Sequence, residues 1–220
     1  MSVQAILFDF DNTLADRGVY AYRAFSRIIR ENTHFQDPVE TEAVIQDCML
    51  WDQGGTVPRS YVAGKLQEVY GVEIACEDFQ RYWLQLQKEY AVLYPDTLST
   101  LKTLKERGYR LGCVTDGWTD IQRGKLETVG LTDMFEVIVV SEEVQAPKPR
   151  PQMFEKALQE LHLRPEETVY VGDVFAKDVL GAYRMGIQPV WFWPEHRGCS
   201  ADVTVIHKMS ELLELFPGNK

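Results

Sequence analysis

The chain has 220 residues, 45% of them hydrophobic, enough to bury a full core in one domain or in one domain with a small insertion, which excludes disorder as the default. A formal net charge of −10, with no run of Lys or Arg, argues against nucleic acid or an anionic membrane surface as a steady partner. Cys48, Cys76, Cys113 and Cys199 are far apart and show no C-x-x-C spacing, and there is neither a secretory h-region nor a run of roughly 18 apolar residues, so a reducing cytoplasm is the expected compartment.

The first element is Ala5-Ile6-Leu7-Phe8, an unbroken apolar run of the kind a parallel strand needs when both its faces are covered. It closes on Asp9-Phe10-Asp11-Asn12-Thr13. Successive side chains in an extended chain alternate sides, so Asp9 and Asp11 are expected to share a crevice while Phe10 points back. Two like charges about 4 Å apart repel by roughly 4 kcal/mol at an effective dielectric near 20, so the pair calls for a cation or for a proton on one member. Taken alone, two acids after a strand also read as turn formers.

Over residues 16–93 the periodicity becomes helical, as in an inserted bundle with its own core. Val19, Tyr22, Phe25 and Ile29 predict one apolar face opposite Arg23, Arg27 and Arg30. Asp37-Pro38 with Glu40 has the form of an N-cap, a first-turn proline and a capping box ahead of Val44, Cys48 and Trp51. Pro58 opens a third helix striped by Val62, Leu66 and Val69 and ended by Gly71; Phe79, Trp83, Leu86, Tyr90 and Leu93 stripe a fourth.

From Pro95 onward helix and strand alternate. Leu98, Leu101 and Leu104 precede a strand ending at Thr115; a helix through Ile121, Leu126 and Val129 precedes Val137-Ile138-Val139-Val140. A helix around Phe154, Leu158 and Leu161 leads to the strand ending at Asp173, and one around Val179, Ala182 and Met185 leads to Val190-Trp191-Phe192. A short strand at Val203-Thr204-Val205-Ile206 and a helix at Leu212 and Leu213 close the pattern. Repeated βα units predict an α/β fold, a Rossmann-like parallel sheet with helices on both faces, binding its ligand beyond the carboxyl ends of the strands.

Those ends carry the chemistry. Thr115 could donate its hydroxyl to a ligand oxygen, with the amides of Asp116 and Gly117 turned into the crevice. Lys148, between Pro147 and Pro149, is a cation on a stiff loop. Gly172-Asp173 with Asp178 repeats the acid pairing. Other phosphate chemistries are absent: Gly117 and Gly124-Lys125 are too far apart for a P-loop and are followed by Leu126, and no cysteine is followed six residues later by arginine. His34, His162, His196 and His207 lie away from the strand tips, which leaves carboxylates as the reactive groups.

With four such features in chain order, the sequence resembles the haloacid dehalogenase-like hydrolase superfamily: Asp9-Phe10-Asp11-Asn12-Thr13, Thr115, Lys148, and Gly172-Asp173 with Asp178 match its four motifs. The segment 16–93 resembles the family's type-1 cap, so the resemblance implies a core of 1–15 plus 94–220. The stretch Val140-Ser141-Glu142-Glu143-Val144 with Pro147-Lys148-Pro149 is similar to pyrimidine nucleotidases and related small-metabolite phosphatases.

The resemblance implies a phosphomonoesterase in which Asp9 is the nucleophile, forming an aspartyl-phosphate, and Asp11 protonates the leaving oxygen and then activates water. Mg²⁺ would be held by the Asp9 carboxylate, the Asp11 backbone carbonyl and Asp173, with Asp178 behind it holding a metal-bound water or supporting Lys148. Thr115, Asp116 through its amide, and Lys148 would hold the phosphoryl oxygens. Asp116 stands where relatives commonly carry Asn, and an extra acid beside a phosphate must point away or be neutralised. A phosphomutase or a dehalogenase on the same fold, or a non-catalytic binding protein, are the alternatives; Asp11 speaks against dehalogenation, which needs no acid for its leaving halide. In the cap, Arg17, Trp51, Arg59 and Tyr61 are the expected contacts to a small-molecule ester, a nucleoside or sugar phosphate.

Overall fold

The computed structural model describes residues 2–194 and 201–218; His196 and Cys199 lie outside them. The strands β1 (Ala5–Phe8), β2 (Arg110–Thr115), β3 (Val137–Val140), β4 (Thr168–Gly172), β5 (Gln188–Phe192) and β6 (Thr204–Ile206) form one sheet. Their order is β3-β2-β1-β4-β5-β6 and every pairing is parallel. β1 is therefore interior: Phe8 lies opposite Cys113 on one side and Val171 on the other. All four of its residues are buried, which is why the run is apolar without alternation. The order reverses beside β1, and ligand crevices open at such switch points.

The chain divides into two compact units, Met1–Asp16 with Leu93–Lys220, and Arg17–Val92. The first holds the sheet together with α5 (Thr97–Glu106), α6 (Thr119–Thr128), α7 (Ser141–Val144), α8 (Pro151–Leu161), α9 (Leu180–Arg184) and α10 (Leu212–Leu215). Ala5 and Leu7 of β1, Val114, Val137, Val139 and Tyr170 pack with Met153, Phe154, Ala157, Leu158 and Leu161 of α8 and with Ala182. Each large side chain so buried contributes about 1.5–3 kcal/mol. A π-helical turn, Phe175–Val179, runs directly into α9.

The second unit comprises α1 (Arg17–Asn32), α2 (Pro38–Asp52), α3 (Arg59–Tyr70) and α4 (Cys76–Glu89). Asp37 caps α2 by accepting the amides of Val39 at 2.8 Å and Glu40 at 3.0 Å. Gly71 ends α3 at φ 66°, a left-handed turn that glycine adopts without strain. The buried face of α1 is rotated from its expected setting, since Tyr20, Ala21, Ala24, Phe25 and Ile28 go inward with Ile29, Val19 is exposed and Tyr22 reaches Glu42. On that face the Phe25 ring lies 4.7 Å from the Trp83 ring. Val69 on α3 and Leu98 on α5 are likewise exposed. Among the described residues no helix is long and apolar enough to cross a membrane.

Candidate active site

Asp9 follows β1 and its amide still bonds to Val171 O at 2.9 Å, so the sheet holds the residue in place. Asp173 follows β4, and Asp178 lies in the π-helical turn after it. One carboxylate oxygen from each of these three acids lies within 4.8 Å of the others. Asp178 comes this close because Gly172 has no side chain: a Cβ there would stand 2.4 Å from Asp178 Cβ.

Lys148 is buried among them. Its Nζ lies 2.7 Å from Asp9 Oδ1 and 2.7 Å from Asp178 Oδ1, and donates to Val114 O at 3.2 Å and to Tyr170 Oη at 3.0 Å. The Tyr170 hydroxyl in turn lies 2.9 Å from Val114 O and 3.2 Å from Asp178 Oδ1. Asp178 Oδ2 accepts the Val174 amide at 2.9 Å, and Thr13 donates to Asp173 Oδ1 at 3.3 Å.

Three carboxyl groups face one ammonium, so full ionisation would leave a surplus of two negative charges. Burial, together with Asp178 and Asp173, pushes the Asp9 carboxyl well above its ordinary range against the pull of Lys148. Burial and then Asp178 push Asp173 up to about 7. Burial also works against the Lys148 charge, but Asp178 and Asp9 outweigh it and hold its pKa well above the ordinary lysine value. Such a site suits a divalent cation with a preference for oxygen ligands, and Asp9 and Asp173 are the acids positioned for it, since Asp178 is committed to Lys148, Tyr170 and an amide.

The Asp11 carboxylate turns elsewhere. It meets Lys125 Nζ at 2.7 and 2.5 Å and Gln122 Nε2 at 3.1 Å, both on α6. The expected mutual demand of Asp9 and Asp11 for one cation is thus met by two lysines, one on each acid. Neither Lys125 nor Gln122 is among the site residues expected from the sequence, nor is Tyr170, which lies within β4. Their signal is a polar residue on an apolar face: Gln122 and Lys125 share the buried side of α6 with Ile121 and Leu126.

Thr115 ends β2 and is buried. The Gly117 amide, expected in the crevice, donates instead to Ser141 Oγ at 2.9 Å, because β2 and β3 are paired neighbours and α7 starts at Ser141. The Asp116 side chain accepts the Lys148 amide at 2.9 Å and pairs with Lys177 at 3.4 Å, so its charge is answered. In the helical unit Arg17 lies 2.5 Å from Asp52, and Arg59 pairs with the other oxygen of that acid while its guanidinium stands 4.6 Å from the Trp83 ring. Trp51 packs 6.1 Å from Tyr70, and Tyr61 is exposed. Of the histidines, His162 ends α8 in a left-handed turn and His207 Nδ1 meets Trp193 O at 2.5 Å.

Residues 6–192 match the family described as haloacid dehalogenase-like hydrolase. The chain is 31% identical over 200 residues to the glyceraldehyde 3-phosphate phosphatase of Methanopyrus kandleri, a match spanning 86% of this chain and 83% of that one. It is 34% identical over 155 residues to the phosphoserine phosphatase of Thermus thermophilus, spanning 69% and 60%. The HAD-hydrolase YfnB of Bacillus subtilis, solved bound to magnesium, has a similar fold, with a TM-score of 0.79 at 22% identity over 98% of this chain and 99% of that one.

Proposed function

The chain belongs to the haloacid dehalogenase-like hydrolase family, and from that membership we propose that it is a phosphatase for a small phosphorylated metabolite, acting through an aspartyl-phosphate. The observation that carries this reading is the group of Asp9, Asp173 and Asp178 around the buried Lys148, where acids outnumber the cation beyond the ends of the adjacent strands β1 and β4. Relatives named for glyceraldehyde 3-phosphate and phosphoserine support a compact ester.

In this mechanism an Asp9 oxygen attacks phosphorus, the bond from phosphorus to the leaving oxygen breaks, and that oxygen takes a proton from the Asp11 carboxyl. Water then attacks the phosphorus, Asp11 accepts its proton, and the bond to Asp9 breaks to free phosphate and the nucleophile. Lys148 and the Thr115 hydroxyl meet the charge on the phosphoryl oxygens, and Asp178 and Tyr170 hold Lys148 in place. The Asp9 carboxylate, the Asp11 carbonyl and Asp173 would hold Mg²⁺, which when bound supplies positive charge to the acids and the phosphoryl group. The helical unit is assigned as the cap that selects the ester, with Arg17 and Arg59 as its buried cations and Trp51 and Tyr61 as its further candidate contacts.

The test is phosphate release from a panel of phosphate monoesters with MgCl₂, for the wild type and Asp9→Asn. The wild type turns over at least one compact ester, and Asp9→Asn loses roughly a thousandfold or more while keeping its fold. Activity of Asp9→Asn within about tenfold of wild type overturns the nucleophile.

A further inference from the structure

Lys125 is fully buried, yet its ammonium grips both oxygens of a part-exposed acid: Asp11 Oδ1 at 2.7 Å and Oδ2 at 2.5 Å. One turn earlier on α6, Gln122 Nε2 donates to Asp11 Oδ2 at 3.1 Å and to Asp116 O at 2.8 Å. The ammonium also stands 5.3 Å from the centre of the Phe10 ring. Taking an ammonium out of water is costly, and an apolar side chain facing inward on a helix is often at least as stabilising. Stability alone therefore does not explain a lysine here. What it does is restrict Asp11, because three contacts on two oxygens leave the carboxylate one orientation.

We infer that Lys125, supported by Gln122, is a positioning residue that holds the Asp11 carboxylate in the orientation from which it delivers and takes up protons. The inference rests on the role given to Asp11 in the proposed reaction. A proton donor must stand within roughly 2.6–3.2 Å of the oxygen it serves, and misplacement by about 1 Å is costly. Each carboxylate oxygen has two lone pairs; Oδ2 accepts from both Lys125 and Gln122, whereas Oδ1 meets only Lys125 among these contacts, so Oδ1 is the oxygen that carries the proton in transit. Lys125 itself transfers no proton and acts through Asp11 alone.

The experiment compares kcat/KM on two esters with MgCl₂. The alkoxide leaving from glycerol phosphate needs a proton, whereas the phenolate leaving from para-nitrophenyl phosphate does not. Lys125→Met is expected to lose about tenfold or more on the alkyl ester and less than about threefold on the aryl ester, and Asp11→Asn to show the same contrast more strongly. Lys125→Arg, whose guanidinium also spans two oxygens, restores most of the alkyl activity. Adding Lys125→Met to Asp11→Asn costs nothing further on either ester.

A smaller folded fraction lowers both esters alike and leaves their ratio unchanged, so the readout survives partial unfolding. If Lys125→Met does not fold at all, Gln122→Met carries the test with a smaller contrast in the same direction. Equal losses on both esters from Lys125→Met or Gln122→Met, with the contrast intact in Asp11→Asn, overturn the positioning role. Equal losses in Asp11→Asn itself overturn the acid, and the inference falls with it.

Discussion

The Asp116 carboxylate accepts the backbone N–H of Lys148 at 2.9 Å, so the residue after β2 fixes the loop that carries the buried ammonium. An acid is not required for that bond, because the amide oxygen of Asn accepts equally well. What Asp adds is the ion pair with Lys177, whose side chain is 44% exposed, and exposed pairs contribute about 0–1 kcal/mol. Asp116→Asn is therefore expected to keep kcat/KM within about threefold of wild type, while Asp116→Ala, which leaves the Lys148 amide without this acceptor, loses about tenfold. Steady-state kinetics on one ester decides it, and a large loss in Asp116→Asn would show that the charge itself matters.

Lys148→Ala removes the one cation among three acids. Breaking a buried pair leaves an uncompensated charge and typically costs about 3–5 kcal/mol. The metal-free variant should melt well below the wild type, and Mg²⁺ should raise its Tm by more than it raises that of the wild type, because the ammonium that offsets the acids is then gone. An unchanged metal-free Tm, with a small change in KM alone, would mean that the buried ammonium contributes neither to stability nor to charge stabilisation in the reaction.

Asp173 sets a pH dependence of known sign. Burial, then Asp178, raises its carboxyl from 3.8 to about 7 in the metal-free protein. The folded state thus holds a proton that the unfolded state has already released between those values. The corresponding stability is fully present below the lower value and is lost as pH rises through the upper one. Mg²⁺ must displace that proton, so its apparent affinity should climb with pH by at most about tenfold per unit and level off above about 7. Calorimetry at about pH 6 in buffers of different ionisation enthalpy should register the released proton. A Mg²⁺ affinity that is flat between about pH 5.5 and 8 would contradict the assignment of Asp173 as a ligand.

The parallel α/β core could be read from the sequence because its causes are local. An unbroken Ala5-Ile6-Leu7-Phe8 demands apolar neighbours on both faces, the three-to-four residue spacing of Phe154, Leu158 and Leu161 makes one helical face, and Asp9, Asp173 and Lys148 stand beside strand ends or prolines that mark themselves in the chain. Tertiary structure alone decided who answers whom. Lys125 and Asp11 are 114 residues apart, Lys148 and Asp9 139, and Arg17 and Asp52 35. No periodicity encodes such pairings. A lysine on an apolar helix face, a tyrosine within a β-run and a serine at the end of the neighbouring strand reveal their partners only once the sheet order sets β1 between β2 and β4, and burial then makes an unmet charge or an unmet amide too costly to leave.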